Sequence, residues 1–224
     1  MSAGFSQSAK DQPADTVRNK YLPTGIRLGT DLISIIKSRV TQNFTGWEVN
    51  ADVDFYRYFL AVDYGSWSRH DVIKADSLFI GQGVAGKGNY ENDGHYFRVG
   101  ADINFLLKDP DRNMFFIGFR YGRSFFSESL SYSIQDNFYG KIDKSISASG
   151  LRGHWAEITT GIRIKVFPGF WMGYTGRLKL LPGVSTTSGE LQPFDIPGYG
   201  LAAKKIYWGF NYQLFWRIPF RKIK

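Results

Sequence analysis

The segment FRVGADINFLLKDPDRNMFFIGFRYG, residues 97–122, constrains the fold more than any other part of the chain. Apolar residues take every second place: Phe97, Val99, Ala101, Ile103 and Phe105, then Phe115, Ile117, Phe119 and Tyr121 after a break rich in Asp, Pro and Asn. The places between them hold Arg98, Gly100, Asp102, Asn104, Gly118, Arg120 and Gly122. Strand side chains alternate between two faces, so one face is aliphatic and aromatic while the other is charged and rich in glycine.

The same period recurs along the chain. Eight runs carry it: GIRLGTDL, WEVNADVDF, FLAVDYGSW, the two above, WAEITTGIRIKVF, FWMGYTGRLKL and IYWGFNYQLFWRIPF. Short joins near Arg57, at KDPDRN and at FPG alternate with long segments near 37–46, 67–94, 124–154 and 181–203. Short turns on one side and long loops on the other form the pattern of an outer-membrane barrel.

Alternation alone is symmetric about which face is wet, and a soluble β-sandwich or barrel shares it. Two features decide against that reading. Gly29, Gly65, Gly100, Gly118, Gly122, Gly161, Gly173 and Gly209 share the charged face. A solvent face gains nothing from strand glycines, whereas side chains just fill the inside of a narrow barrel. The aromatics Trp47, Trp67, Trp155, Phe167, Phe170, Trp171 and Trp216 gather near strand ends, as rings do at a membrane–water boundary. No apolar run is long enough for a transmembrane helix, and mean hydropathy is −0.26, but spanning strands need only about 9–11 residues. The reading is an all-β, eight-stranded, antiparallel, transmembrane up-and-down β-barrel over residues 21–220. A polar periplasmic lead-in, 1–20, precedes it, and a basic tail, 221–224, follows. The N-terminus lacks the basic segment and apolar core of an export signal, so the chain reads as mature.

The pieces GIRLGTDL, GWEVNADVDF, FFIGFRYG and YWGFNYQLFWRIP, in that order, resemble a family of uncharacterised small outer-membrane β-barrel proteins of Bacteroidota. The resemblance implies this fold and the outer-membrane compartment, and no activity. Tyr207, Gly209, Tyr212 and Leu214 of the last run resemble the terminal insertion signal of such barrels, although the chain continues into RIPFRKIK where many stop at an aromatic.

Little else suggests chemistry. The absence of cysteine excludes disulfides, thiolate metal sites and a cysteine nucleophile. GQGVAG at 81–86 fits a dinucleotide fingerprint, but KGNYENDG follows it where a helix is needed. His70, His95 and His154 lack metal-ligand spacing. They fall near long-loop junctions, where Ser66, Ser68, Ser124 or Ser127 supplies a hydroxyl, so a rim-site lipid-A acyltransferase or deacylase is the alternative function. No catalytic residue, cofactor or metal is expected.

The inward charges form the candidate site: Arg27, Asp31, Glu48, Asp52, Asp63, Arg98, Asp102, Arg120, Glu157, Arg163, Arg177 and Arg217. Eight strands leave no open channel, so these read as a salt-bridged plug rather than a pore. A second candidate is the apolar set Phe125, Phe126, Leu130, Tyr132, Ile134, Phe138 and Tyr139, read as a partner-docking loop. The expected partners are outer-membrane lipid, lipopolysaccharide and another outer-membrane protein. Nucleic acid is not expected despite the net charge of +8, because basic and aromatic residues fall on opposite faces. The predicted role is a structural or accessory subunit. A soluble ligand carrier would need the apolar lumen that this parity denies.

Overall fold

The computed structural model describes residues 22–74, 86–106, 113–136, 140–185 and 193–220. GQGVAG (except Gly86), the lead-in and the basic tail lie outside them. The elements in order are β1 (Gly25–Asp31), α1 (Leu32–Val40), β2 (Phe44–Phe55), β3 (Tyr58–Lys74), β4 (Gly86–Asn104), β5 (Met114–Asp136), β6 (Gly140–Phe167), β7 (Phe170–Ser185), β8 (Asp195–Ile196), β9 (Gly200–Leu201) and β10 (Ile206–Pro219). Eight of the strands close into a ring, β1-β10-β7-β6-β5-β4-β3-β2. Neighbours in it are antiparallel throughout, and β10 pairs with β1 to shut the ring, for example Arg27 opposite Arg217.

The ring has a short-turn end and a long-connection end. At the first, β2 turns into β3 through Tyr56, whose φ of 64° is unusual for a residue other than glycine. There too β6 turns into β7 through Gly169, at φ 86°. Both described ends of the chain lie here. Thr24 and Gly25 donate backbone N–H to Asp54, and Arg217 reaches the same carboxylate at 2.8 Å, which ties the first and last strands to β2.

At the other end, three of the segments expected as loops continue as strand. β3 and β4 pair out to Lys74 and Lys87, and β5 and β6 pair out to Asp136 and Gly140. The segment expected as the first loop, 37–46, holds the last turn of α1, a three-residue turn and the start of β2. β1 stops at Asp31, one residue before the expected strand end, because its carboxylate accepts N–H from Ile33 at 3.3 Å and from Ser34 at 3.1 Å. That is an N-cap. The connection between β7 and β10 folds back on itself through β8 and β9 and enters the mouth, so that Ile196 and Tyr199 are fully buried.

The two faces differ sharply. Outward positions expose Leu28, Val49, Leu60, Val62, Val99, Ile103, Ile117, Phe119, Ile158, Ile162, Ile164, Trp208, Phe210 and Trp216. Inward positions bury arginines, carboxylates and Lys179, together with rings. The sequence led to the expectation of an interior of glycine and charge alone, whereas Phe59, Phe116, Phe215, Tyr96 and Trp155 are also inside. The glycines make this fit. A Cβ at Gly29 would come within 2.4 Å of the Phe215 ring, one at Gly65 within 2.4 Å of Tyr96, and one at Gly122 within 2.3 Å of Trp155. Each glycine is the seat of a ring carried by a neighbouring strand. Trp67 also points inward and is partly buried, and Trp171 is buried, so with Trp155 they depart from the expected boundary aromatics.

Candidate functional site

The lumen is built in levels. Nearest the short-turn end, Arg27 donates to Asp52 at 2.7 Å, and Arg163 reaches the other oxygen of Asp52 at 2.8 Å. Arg163 stands on β6 and Asp52 on β2, opposite each other in the ring, so this pair crosses the lumen. Arg120 donates to Asp102 at 2.7 Å, with Arg163 at 3.5 Å from the same oxygen. Rings complete the level: Arg27 lies 4.6 Å from the Phe59 centroid, and Arg163 lies 4.8 Å from Phe116 and 4.7 Å from Phe215.

The next level is centred on Arg98 and Arg177. Arg98 is ion-paired with Glu48, and it lies 3.2 Å from Asp63 and 3.6 Å from Glu157. Arg177 donates to Glu157 at 2.9 Å, to Asn211 at 2.6 Å and to Asp63 at 3.1 Å, the last again across the ring. Asn50 bridges Glu48 and Asp63, Tyr96 donates its hydroxyl to Glu48 at 2.6 Å, and Trp155 donates to Glu157 at 2.7 Å. A buried charge survives only when paired and hydrogen-bonded, and at this level Glu48, Asp63 and Glu157 each have several donors.

Above this sits the folded connection. Lys179 donates to the carbonyls of Gly198 and Tyr199 at 2.7 and 3.0 Å. Glu128 accepts N–H from Phe194 and Asp195, together with the Tyr90 hydroxyl at 2.6 Å and Asn92 at 2.9 Å. Arg69 pairs with Asp195 at 2.7 Å. Burial pushes the Asp195 carboxyl up and neighbouring Glu128 adds to this, against the pull of Arg69. The grip of Glu128 on Phe194 and Asp195 acts as a latch, and Tyr96, Phe126, Leu151, Trp155, Ile196 and Tyr199 pack as one apolar cluster beside it.

The expected charge set therefore meets in the lumen, with two corrections. Asp31 belongs to no ion pair among the described residues: it caps α1 and accepts the Tyr212 N–H at 3.1 Å. Arg217 binds Asp54 at the short-turn end, apart from the two central levels. Sequence parity places Lys179 among the inward charges without its role as an anchor, and it misses Tyr96, Glu128 and Asn92. Glu128 shares parity with Phe126 two places before it, which was the available signal.

The expected docking set divides. Phe126 and Leu130 are buried and unable to meet a partner, because they lie on the inward face of β5. Phe125 and Tyr132 are partly exposed, while Phe138, Tyr139 and the Ile134 side chain lie outside the described residues. On the last strand, Tyr207 and Gly209 point inward, whereas Tyr212 and Leu214 take the other parity. A groove of about 470 Å³ near the long-connection end is lined by Ser66, Ser68, Asp93, His95, Phe125 and Ser127 among others. The His95 ring stacks on Phe125 at 5.4 Å, and the Ser66 hydroxyl donates to the Gly94 carbonyl. Ser124 is fully buried away from this groove.

The crystal structure of Acinetobacter baumannii CarO2 is similar at 10% identity, covering 89% of this chain and 99% of that one, with a TM-score of 0.42. That of Acinetobacter baumannii CarO is similar at 11% identity, covering 91% and 100%, with a TM-score of 0.38. That of a major outer membrane protein from Thermus thermophilus is similar at 10% identity, covering 88% and 98%, with a TM-score of 0.34. No curated protein matches the chain. Residues 1–223 match a family described as a domain of unknown function, DUF6048, and the chain belongs to that family.

Proposed function

We propose that the chain is a small integral β-barrel of the outer membrane of a Bacteroidota-type bacterium, with a plugged lumen and its described ends in the periplasm. It serves there as a structural or accessory subunit of a larger outer-membrane assembly. The observation that carries this reading is the inverted polarity of the wall. Buried arginines and carboxylates fill the inside, while a continuous belt of Leu, Ile, Val and aromatic side chains stands exposed outside. An apolar surface of this extent in water would be an aggregation liability, whereas lipid is its natural solvent. Ion pairs that cross the ring support a barrel that conducts nothing. The long β5–β6 hairpin beyond the belt is the surface left for a partner, along with the wall itself.

Co-purification from gently solubilised membranes tests the subunit role. Replacing residues 131–145 by a two-residue Asn-Gly turn shortens the hairpin to the paired Leu130 and Ile146 and leaves the Glu128 latch in place. The shortened barrel should insert normally and lose its partners. Recovery of the same partners in the same amounts would overturn the docking assignment.

The groove holding Ser66, Ser68, Asp93 and His95 supports a second reading, a lipid-A acyltransferase or deacylase at the rim. Against it, His95 forms no hydrogen bond to a hydroxyl among the described residues. Lipid A with the same acylation pattern in wild-type cells and in His95→Ala cells would remove this reading.

A further inference from the structure

The helix α1 is built inside out. At 100° per residue, Leu32, Ile33, Ile36 and Val40 share one side, and Ser34 and Ser38 share the opposite side. A helix on a water-soluble protein turns its apolar stripe to the core. Here Ile33, Ile36 and Val40 are exposed, Val40 at 76%, and no residue of the helix is fully buried. The serines face the barrel instead. The Ser38 hydroxyl donates to the carbonyl of Gly46 and accepts its N–H, both at 2.6 Å, and Ser34 is held by Asp31.

The position of the helix explains those bonds. β1 is short: its pairing ends at Asp31 opposite Gln213 on β10, and at Thr30 opposite Val49 on β2. Beyond that level, residues 44–48 of β2 and 206–212 of β10 have no strand partner on their facing edges. α1 occupies this gap. Ser38 satisfies the edge of β2 at Gly46, and Asp31 satisfies the edge of β10 at Tyr212. The strands on either side carry Trp47, Trp208 and Phe210 outward and exposed. The last turn of the helix carries Lys37 and Arg39, and Lys37 lies over the Phe44 ring at the level of the mouth.

We propose that α1 is a membrane-embedded part of the wall: it replaces strand pairing above β1, and its Ile33–Ile36–Val40 face lies in the acyl chains of the leaflet on the long-connection side. The apolar belt then continues unbroken from Trp47 across the helix to Trp208 and Phe210, and the exposed Arg39 stands at the height of anionic headgroups. The inference rests on the membrane reading above and adds that the first connection is wall and not an extracellular loop. An apolar helix face next to basic residues suits an anionic lipid boundary.

The chain has no cysteine, so single cysteines can be labelled with a fluorophore in the full-length barrel reconstituted in bilayers. The variants are Ile36→Cys on α1, Phe119→Cys on the belt and Gln42→Cys in the exposed turn after the helix. Labels at residues 36 and 119 should lose most of their emission to lipids brominated on the acyl chain and little to aqueous iodide, with the reverse at 42. Iodide quenching at 36 alongside bromolipid quenching at 119 would overturn the inference and leave the membrane reading standing. Iodide quenching at 119 as well would overturn both.

Discussion

Glu157→Gln tests whether the lumen is held by matched charge. Glu157 has no exposed surface; it accepts from Trp155 at 2.7 Å and Arg177 at 2.9 Å, and it lies 3.6 Å from Arg98. At its level Arg98 and Arg177, with Lys179 just above them, face three buried carboxylates, Glu48, Asp63 and Glu157. The amide keeps the shape and can still accept from Trp155. It also leaves one uncompensated positive charge among side chains with almost no exposed surface. Breaking a buried pair on one side costs about 3–5 kcal/mol. The unfolding midpoint of the refolded barrel, read from the heat-dependent shift in gel mobility or in urea with lipid, should fall accordingly. Asp143→Asn is the reference, because Asp143 and Lys141 are each 64% exposed, and it should leave the midpoint unchanged. Replacing both partners by apolar groups, Glu157→Leu with Arg177→Met, should recover part of the loss. A Glu157→Gln barrel that unfolds with the wild type would refute the claim that these charges sustain the interior.

Three further outcomes follow from the same geometry. Ile117→Arg places a charge in the middle of the exposed belt and should cost about 2–4 kcal/mol of stability in lipid, seen as reduced insertion into vesicles. Gly65→Ala drives a Cβ to within 2.4 Å of the Tyr96 ring and should destabilise by about 1–3 kcal/mol, measured by the same heat shift. The raised carboxyl of Asp195 means that the docked connection holds a proton more tightly than the undocked one. Docking should therefore be strongest below about pH 3.8 and weaken as pH rises through the raised value. The protection of the Tyr199 amide, bonded to Ile196 at 2.9 Å, relative to an unstructured peptide at the same pH should fall over that window, and Asp195→Asn should flatten the change.

The wall was legible in the sequence because period-two alternation is local: Phe97 to Phe105 declares two faces without knowledge of any neighbour. Arg98 and Asp63 were placed inside by the same parity. Their partners were not readable, because Arg177–Asp63 and Arg163–Asp52 join strands opposite in the ring. Space for a narrow lumen is only part of what the glycines provide: Gly122 exists for Trp155, which faces it only through the register of β5 against β6. The helix escaped notice because ISIIKSRV turns its isoleucines away from the protein, so the usual sign of a packed helix is reversed. The insert at β8 and β9 reads as an exterior loop in the sequence because FDIPGYG acquires its buried role from distant residues, Arg69, Asn92, Tyr96, Glu128 and Lys179.

The central claim is that the apolar face meets lipid and the charged face meets itself. Nitroxides at the outward positions 115, 117 and 119, and at Gln42 as the aqueous reference, in the reconstituted barrel measure this directly, by relaxation with lipid-soluble oxygen and with a water-soluble nickel chelate. Oxygen access should be high and nickel access low at Phe115, Ile117 and Phe119, with the reverse at Gln42. High nickel access at Phe115, Ile117 and Phe119 would contradict the account.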